Sequence, residues 1–203
     1  MEDSRARPFL EGDLDPDPLS QFASWYEEAR SHVAAPEAVA LATATPAGAP
    51  SARMVLLKGF GRDGFTFFSG YESRKGRELD PNPAGALLFY WHELGRQVRV
   101  EGSVARVPAE ESDAYFASRP LGARLSAAVS SQSEPVGSRE ELEAAVEELR
   151  ARVGEDVPRP AGWGGYRLRP ESYEFWQHRE DRLHDRFRYT ASGRGWLVER
   201  LAP

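Results

Sequence analysis

Four clusters of basic residues are the parts of this 203-residue sequence whose residue types could do chemistry. They are Arg53 with Lys58, Arg74 with Lys75, Tyr115 with Arg119, and the stretch 182–188. The formal net charge of the chain is −6, whereas nucleic-acid-binding domains usually carry a basic footprint. Basic clusters within an acidic protein therefore indicate a small anionic ligand and argue against nucleic acid as a partner.

The segment "SRKGREL" predicts a short helix that is capped by Ser73. A helix N-terminus offers unpaired N–H groups and a positive dipole end, so Arg74 and Lys75 beside it would complete an anion site. A capped helix whose charges face water explains the same residues and stays open as the alternative.

Two further pairs have both a binding and a structural interpretation. Arg53 and Lys58 bracket "MVLL", which we expect to be buried, so each charge needs a ligand, a partner or access to water. The two differ in parity, and only a bulge would bring them to one face of a regular strand. Tyr115 and Arg119 share a helix face and could hold a phosphate, although an aromatic–cation contact is the commoner explanation.

The stretch "EFWQHREDRLHDRFRY" (174–189) is the fourth cluster. If residues 182–188 form a strand, then Arg182, His184, Arg186 and Arg188 lie on one face. These charges would face anions, or they would form ion pairs on a surface strand. The spacing of the histidines matches no metal-ligand pattern, so we predict no metal site.

The elements that must position these clusters are those of an α+β protein. Strands are predicted at 38–45, 51–60, 84–91 and 97–107, with helices beginning near Pro18, Pro108 and Ser138. "GFGRDG" matches a dinucleotide-binding pattern, but the strand-like "FTFFSG" follows it, so we interpret it as a hairpin turn. These elements predict an antiparallel barrel or half-open sheet with peripheral helices. We expect a mobile tail at 1–17 and a single domain at 18–203.

The composition restricts the chemistry and the cellular location that are expected of the chain. The chain has no cysteine, which excludes disulfides and thiolate chemistry and is consistent with a reducing, cytoplasmic location. No apolar run reaches the roughly 18 residues that a membrane span requires, and the N-terminus has no secretory h-region. Taken together, the basic clusters and the tryptophans near them favour a flat aromatic ligand that carries phosphate.

Six segments in this order resemble the pyridoxamine 5′-phosphate oxidase family: "RMVLLK", "SRKGREL", "GRQV", "SSQS", "EFWQ" and "RLHDR". The resemblance covers roughly residues 15–203. It implies an FMN-binding split β-barrel with a Greek-key-like antiparallel sheet. It also implies a homodimer whose sites lie at the subunit interface, and oxidation of pyridoxamine or pyridoxine 5′-phosphate by O₂.

The resemblance also implies roles for individual residues. The FMN-binding positions would be Arg53, Met54, Val55, Leu56, Leu57, Lys58, Phe68, Ser69, Arg74, Lys75, Gln97, Gln132, Ser133, Trp176 and Arg186. The substrate-binding positions would be Lys58, Tyr115, Arg119, Arg182 and His184, of which Arg182 and His184 would be catalytic.

Three departures from the family pattern concern the substrate. Ala123 stands where a serine often completes the phosphate site, which removes a hydrogen bond worth about 0.5–1.5 kcal/mol. Ala128 stands where a tryptophan is usual, and the N-terminus has no Arg-Arg-x-Tyr segment. A flavin oxidase of another aromatic substrate, as in phenazine biosynthesis, or a non-catalytic protein that binds flavin or pyridoxal phosphate, therefore remains open.

Overall fold

One antiparallel sheet organises residues 7–203, the part of the chain that this computed structural model describes. Its nine strands are β1 (Ala38–Ala44), β2 (Pro50–Leu56), β3 (Gly59–Gly61), β4 (Gly64–Gly70), β5 (Ala84–Trp91), β6 (Arg96–Arg106), β7 (Trp163–Gln177), β8 (Asp185–Ser192) and β9 (Gly195–Arg200). The α-helices are α1 (Pro18–His32), α2 (Arg74–Leu79), α3 (Ala109–Ser118), α4 (Leu121–Val129) and α5 (Arg139–Val153). The predicted α+β class is confirmed, and "GFGRDG" is the hairpin between β3 and β4.

The strand order is β2-β1-β5-β6-β7-β4-β3, and all of these pairs are antiparallel. β7 is long enough to pair along one edge with β6 and along the other with β4 and then β8. A bulge at Glu101/Gly102 bends β6 against β7, and a Cβ on Gly102 would lie 2.0 Å from the carbonyl oxygen of Arg169. The bend helps the sheet to curl into a half-barrel whose ends approach where Lys58 N–H donates to the Thr66 carbonyl at 2.8 Å.

Aromatic rings fill the concave side of the sheet, under α1. Asp17 caps this helix by accepting from the Leu19 N–H at 3.1 Å. Phe22 lies 4.8 Å from Phe65, and Trp25 lies 5.3 Å from Phe175, between ring centroids. A smaller apolar cluster joins α3, α4 and the start of β7 through Phe116, Leu125 and Trp163. The two clusters fix the strand ends and helix termini around the candidate site.

The segment before α1 is packed, so the predicted mobile tail does not extend to residue 17. Phe9 is 5% exposed, and its ring centroid lies 4.8 Å from that of Trp25 and 5.3 Å from that of Phe187. The Phe9 N–H donates to the carboxylate of Asp185 at 3.2 Å. The composition of residues 9–17 hid this anchoring because one buried ring outweighs its polar neighbours. Residues 1–6 of the predicted tail lie outside the described residues.

The prediction for residues 182–188 was wrong in its first half. β8 begins only at Asp185, and the preceding turn holds Arg182 at a φ of 67°. Arg182 and His184 therefore do not share a strand face with Arg186 and Arg188. The register confirms that Arg188 lies opposite Glu199, to which it donates at 2.8 Å.

The prediction that "MVLL" is buried was wrong for Met54 and Leu56, although Leu57 is buried. Met54 is 63% exposed and Leu56 is 45% exposed, because they point away from the core on the edge strand β2. We call this side of the sheet the outer face. One row of neighbours across it runs Met54, Ala40, Leu88, Arg99, Glu174 and Arg188. Lys58 follows the end of β2, so its position needs no bulge in that strand.

No helix within residues 7–203 is long and apolar enough to cross a membrane.

Candidate active site

A cavity of about 590 Å³ runs along the edge strand β2, within the size range of small-molecule sites. Its other walls come from β4, α2, the end of α3, the loop after α4 and the start of β7. Most of the site residues predicted from the sequence line it: Arg53, Met54, Val55, Leu56, Lys58, Phe68, Ser69, Arg74, Lys75, Tyr115, Arg119, Gln132 and Ser133. The fold thus brings together residues that are up to 80 positions apart in the chain.

The remaining predicted residues do not line this cavity. Leu57 points into the hydrophobic core and is 5% exposed. A second group lies at the far side of the sheet, on the outer face and in the turn before β8; we call it the C-terminal cluster, and it consists of Gln97, Trp176, Arg182, His184 and Arg186. A single chain therefore divides the predicted site into two parts.

Three cations meet where β2 approaches the start of α2, and we call Arg53, Arg74 and Lys75 the basic cluster. Lys75 is 6% exposed, and its Nζ donates to Ser69 Oγ at 2.9 Å and to Ser73 Oγ at 3.1 Å. Burial lowers the pKa of Lys75 to about 8, and the Arg53 charge adds to this effect. The ammonium group is thus costly to keep charged without an anion, which is the electrostatic state expected of an anion site.

Glu78 is the one carboxylate that touches the basic cluster within residues 7–203. It is 4% exposed; its Oε1 accepts from Arg74 Nε at 2.9 Å, and its Oε2 accepts from Arg53 Nη2 at 3.2 Å. The hydroxyls of Ser51 and Thr43 also donate to Oε2. Burial alone would raise the pKa of Glu78, but these hydrogen bonds outweigh it and lower the pKa to about 2. The carboxylate is therefore ionised across the physiological range.

The loop after α4 is tied to the basic cluster. Gln132 Oε1 accepts from Ser69 Oγ at 2.9 Å and from the Gly70 N–H at 3.0 Å, which extends the chain of hydrogen bonds that begins at Lys75. Ser133 has a φ of 76°, a conformation that non-glycine residues adopt rarely. The tight turn it makes places Gln132 and Ser133 at the cavity, although "SSQS" carries no signal of secondary structure.

An aromatic wall and a second cationic group occupy another part of the cavity. Phe68 stacks on Tyr115 with ring centroids 3.9 Å apart, and the guanidinium of Arg119 lies 4.6 Å above the Trp163 ring. Arg119 Nη1 is buried, and within the described residues it has no hydrogen-bond partner. Burial lowers the pKa of Arg119, which Tyr115 partly offsets. A buried donor without a partner indicates a place for an anionic ligand group.

In the C-terminal cluster, Trp176 lies between Gln97 and Arg186 across three strands, and its ring centroid is 4.5 Å from that of His184. The Arg179 N–H donates to His184 Nδ1 at 3.0 Å, so the neutral imidazole carries its proton on Nε2. Burial lowers the pKa of His184, and the charges of His178 and Arg182 lower it further. His184 is therefore prepared to donate from Nε2.

A buried carboxylate also organises the C-terminal cluster. Glu174 is 3% exposed and accepts from Arg186 Nε at 2.9 Å and Arg186 Nη2 at 2.7 Å, while Arg99 donates to its other oxygen. Arg186 is thereby fixed on the outer face. Within residues 7–203, no group of three or more His, Asp or Glu side chains is arranged to hold a metal ion.

Two residues at the site, Ser51 and Glu78, received no predicted role, and Trp163 was predicted only as one of the tryptophans near the basic clusters. Glu78 follows Arg74 by four positions, and this spacing on a helix was the available signal. Trp163 follows a loop rich in Pro and Gly, and only the pairing of β7 with β4 brings it beside Phe68.

Comparison with known proteins identifies the family. A family model described as pyridoxamine 5′-phosphate oxidase matches residues 26–152, and one described as the pyridoxine 5′-phosphate oxidase C-terminal dimerisation region matches residues 163–203. A pyridoxine/pyridoxamine 5′-phosphate oxidase of Rubrobacter xylanophilus is 59% identical over 195 residues, which cover 95% of this chain and 90% of that protein. One of Bordetella pertussis is 55% identical, covering 92% and 89%.

Two solved structures share the fold. PhzG from Burkholderia lata 383, in complex with tetrahydrophenazine-1-carboxylic acid, is 34% identical with a TM-score of 0.92, covering 98% of this chain and 100% of that one. A pyridoxamine 5′-phosphate oxidase-related, FMN-binding protein of Nostoc punctiforme is 19% identical with a TM-score of 0.73, covering 91% and 96%, which shows the fold alone. The predicted split-barrel fold is confirmed. This chain belongs to the pyridoxamine 5′-phosphate oxidase family.

Proposed function

We propose that the protein oxidises pyridoxine 5′-phosphate, or pyridoxamine 5′-phosphate with uptake of water and release of ammonia, to pyridoxal 5′-phosphate, with FMN as cofactor and O₂ as the acceptor that is reduced to H₂O₂. The observation that carries the proposal is that one cavity holds two separate cationic groups. The basic cluster forms one of them, and Lys58, Tyr115 and Arg119 form the other. Two phosphorylated molecules, a cofactor and a substrate, would supply one anion to each group.

The residues of the cavity fit FMN. The basic cluster holds a lysine whose pKa is lowered by burial, together with an N-terminal turn of α2. A phosphate here would restore the favourable charged state of Lys75 and accept from Arg74. Phe68, Met54 and Val55 supply apolar surface for a ring system, and Ser69 and Gln132 supply polar atoms. When bound, FMN would supply the acceptor for a hydride from the substrate and return the electrons to O₂.

The second cationic group suits the substrate phosphate. Arg119 offers its unpartnered Nη1, Tyr115 offers its hydroxyl, and Lys58 offers an exposed ammonium at the mouth of the cavity. Together they would fix the substrate by its phosphate and leave its ring free to lie against the cofactor. Ala123 contributes no hydrogen bond here, so this group rests on Arg119 more heavily than a site with a serine would.

Arg182 and His184 would act on the substrate ring from a second copy of the chain. The C-terminal cluster does not line the cavity of its own chain, and all its members except Gln97 lie within the segment that matches the family's dimerisation region. The exposed apolar residues of the outer face, Met54, Leu56 and Tyr90, provide surface for such an association. His184 would donate from Nε2 to a substrate oxygen, and Arg182 would hold the ring in place.

A second candidate function is oxidation of a dihydrophenazine-type substrate. Two observations favour it: the similarity to PhzG from Burkholderia lata, and a neighbouring cavity of about 450 Å³ beside Ala128. That cavity shares Arg119, Gln132 and Trp163 with the first, so a larger substrate has room to extend. The closer sequence relatives, at 55–59% identity, favour the vitamin B6 substrate.

Anaerobic mixing of the FMN-loaded protein with each substrate tests the proposal. Pyridoxamine 5′-phosphate and pyridoxine 5′-phosphate should bleach the flavin absorbance, and air should restore it with release of H₂O₂. Bleaching by a dihydrophenazine carboxylate but by neither vitamer would select the second function. A flavin that none of these compounds bleaches would leave only a binding protein and would overturn both proposals.

A further inference from the structure

Glu78 has no role in the function proposed above, yet both of its carboxylate oxygens accept hydrogen bonds from arginines of the basic cluster. The side chain extends from α2 toward β1 and β2. Its Oε1 accepts a hydrogen bond from Arg74, and its Oε2 accepts one from Arg53. Ser51 Oγ donates to Oε2 at 2.5 Å, and Thr43 Oγ1 donates to the same oxygen. One carboxylate therefore connects the helix to two strands.

The two arginines are held differently. Arg53 is bound by the scaffold on both terminal nitrogens: Nη1 donates to the Leu41 carbonyl at 3.2 Å and to Thr43 Oγ1, and Nη2 donates to Ser51 and Glu78. Arg74 is held only through Nε, and within residues 7–203 its two terminal nitrogens have no protein acceptor. Glu78 thus orients the exposed guanidinium of Arg74 toward the cavity and leaves its two terminal nitrogens free for a ligand.

The charges of this group also fit one kind of ligand. Three cations, Arg53, Arg74 and Lys75, surround one carboxylate, which leaves a net charge of about +2 at physiological pH. A phosphate monoester carries about −1.5 to −2 at pH 7. The group therefore matches a terminal phosphate monoester better than a diester or an uncharged alcohol.

We propose that Glu78 is a positioning residue that fixes Arg74, beside the positive charge of Arg53, for the phosphate of the cofactor and matches the charge of the site to a phosphate monoester. The inference rests on the proposed use of FMN. Stability alone is a weak explanation for Glu78, because buried ion pairs typically recover little more than the cost of desolvating their charges. A carboxylate that accepts hydrogen bonds from two cavity arginines instead fixes the geometry of the binding site before the ligand arrives.

The test compares two flavins that differ only in the phosphate. The cofactor-free full-length protein is titrated with FMN and with riboflavin, and binding is followed by flavin fluorescence. For Glu78→Gln we expect the FMN dissociation constant to rise by about 10- to 100-fold, the effect of one or two hydrogen bonds to charged groups. The riboflavin constant should stay within about threefold, because riboflavin has no phosphate for the arginines to hold.

Glu28→Gln is the matched control, since Glu28 pairs with Arg96, an arginine of 7% side-chain exposure that does not line the cavity. Both flavins should bind this variant as they bind the unchanged protein. If Glu78→Gln weakens FMN and riboflavin equally, Glu78 is structural and the inference is wrong. If the unchanged protein binds neither flavin, the proposed function fails before Glu78 is in question.

Thr43→Val keeps the test informative if Glu78→Gln does not fold. This change removes one donor to Glu78 and one acceptor of Arg53 while it keeps the carboxylate. We expect a loss of FMN affinity of about 3- to 10-fold with riboflavin unchanged. Equal affinities of the variant and the unchanged protein for FMN would contradict the inference, as would a parallel loss of riboflavin.

Discussion

The basic cluster and the C-terminal cluster use the same device in opposite settings. In each, a carboxylate with less than 5% exposure holds two arginines: Glu78 holds Arg53 and Arg74, and Glu174 holds Arg99 and Arg186. The first pair faces a cavity that its own chain encloses. The second pair lies on the outer face of the sheet, apart from that cavity.

Under the proposed function, this difference in position means that one chain can hold the cofactor phosphate by itself, whereas conversion of the substrate needs a second chain. The basic cluster has its lysine, its helix N-terminus and its counter-charge in place, so in the proposed function one chain supplies the groups that hold the cofactor phosphate. The side chains of the C-terminal cluster are fixed, but none of them lines the cavity of the same chain. A buried arginine–carboxylate pair contributes more to a fixed side-chain orientation than to stability. The pair with Glu174 is therefore consistent with Arg186 being oriented for contact with a second copy of the chain.

Lys75→Ala should give the largest effect on the cofactor side of this comparison. The variant loses a buried cation whose hydrogen-bond partners, among residues 7–203, are Ser69 and Ser73. We expect the FMN dissociation constant to rise about 100-fold, corresponding to about 2.7 kcal/mol. The KM of the vitamer, measured at saturating FMN, should change less than threefold. A KM that rises as much as the FMN constant would show that the two phosphate sites are one.

Arg119→Ala should give the reverse pattern, with a comparable effect on the substrate. Loss of the guanidinium removes the unpartnered donor of the second cationic group. We expect the KM of pyridoxamine 5′-phosphate to rise about 30- to 100-fold, while FMN binding changes less than threefold. Steady-state kinetics and FMN titration on one preparation check both halves. Loss of FMN affinity as large as the change in KM would contradict the assignment.

FMN affinity should fall above about pH 8. Lys75 faces Arg53 from β2 and Glu78 from its own helix, with Ser69 and Ser73 on its Nζ, and its pKa is lowered to about 8. A bound phosphate stabilises the ammonium, so binding takes up a proton above pH 8, and the dissociation constant should rise up to tenfold per pH unit. In Lys75→Met the FMN dissociation constant should be larger and independent of pH between 8 and 9.5. The same slope in this variant would assign the titration to another group.

A smaller effect is expected from His184. Burial favours the neutral ring of His184, and protonation of Nδ1 must break the hydrogen bond from the Arg179 N–H, so the pKa of His184 lies below its ordinary value. The folded state thus binds fewer protons than the unfolded state, and both stability and kcat/KM should be retained at pH 7 and decline below about pH 6.5. In His184→Asn the part of this decline that is due to the imidazole should disappear from the pH profile of kcat/KM. An unchanged profile would show that His184 does not titrate in the reaction.

Much of this arrangement could be predicted from the sequence, because local rules determine it. Ser73 at the start and the prolines beyond the end delimited α2, and alternation identified β6. The position of Lys58 was harder, since the end of β2 depends on pairing with β1. The burial of Phe9 could not be read from composition, because Trp25 and Phe187 reach it only through the tertiary fold.

The turn before β8 was not visible in the residue pattern. Arg182 and Arg186 both belong to the C-terminal cluster, but a turn with a positive φ at Arg182 keeps this residue off the strand that carries Arg186. Glu78 was overlooked because an Arg–Glu pair at this spacing usually marks a solvent-exposed helix face. Only the register of β1 and β2 shows that Thr43, Ser51 and Arg53 surround it.

Mixed dimers test the central claim, that each active site combines the cavity of one chain with the C-terminal cluster of another. Arg119→Ala and Arg182→Ala chains, separately tagged and co-expressed, would form a hybrid in which one site carries both changes and the other carries neither. At substrate concentrations near the KM of the unchanged protein or below it, purified hybrids should show about half the specific activity of the unchanged protein, while each parent variant alone is nearly inactive. A hybrid no more active than its parents would show that each chain uses its own Arg119 and Arg182, and would contradict the account.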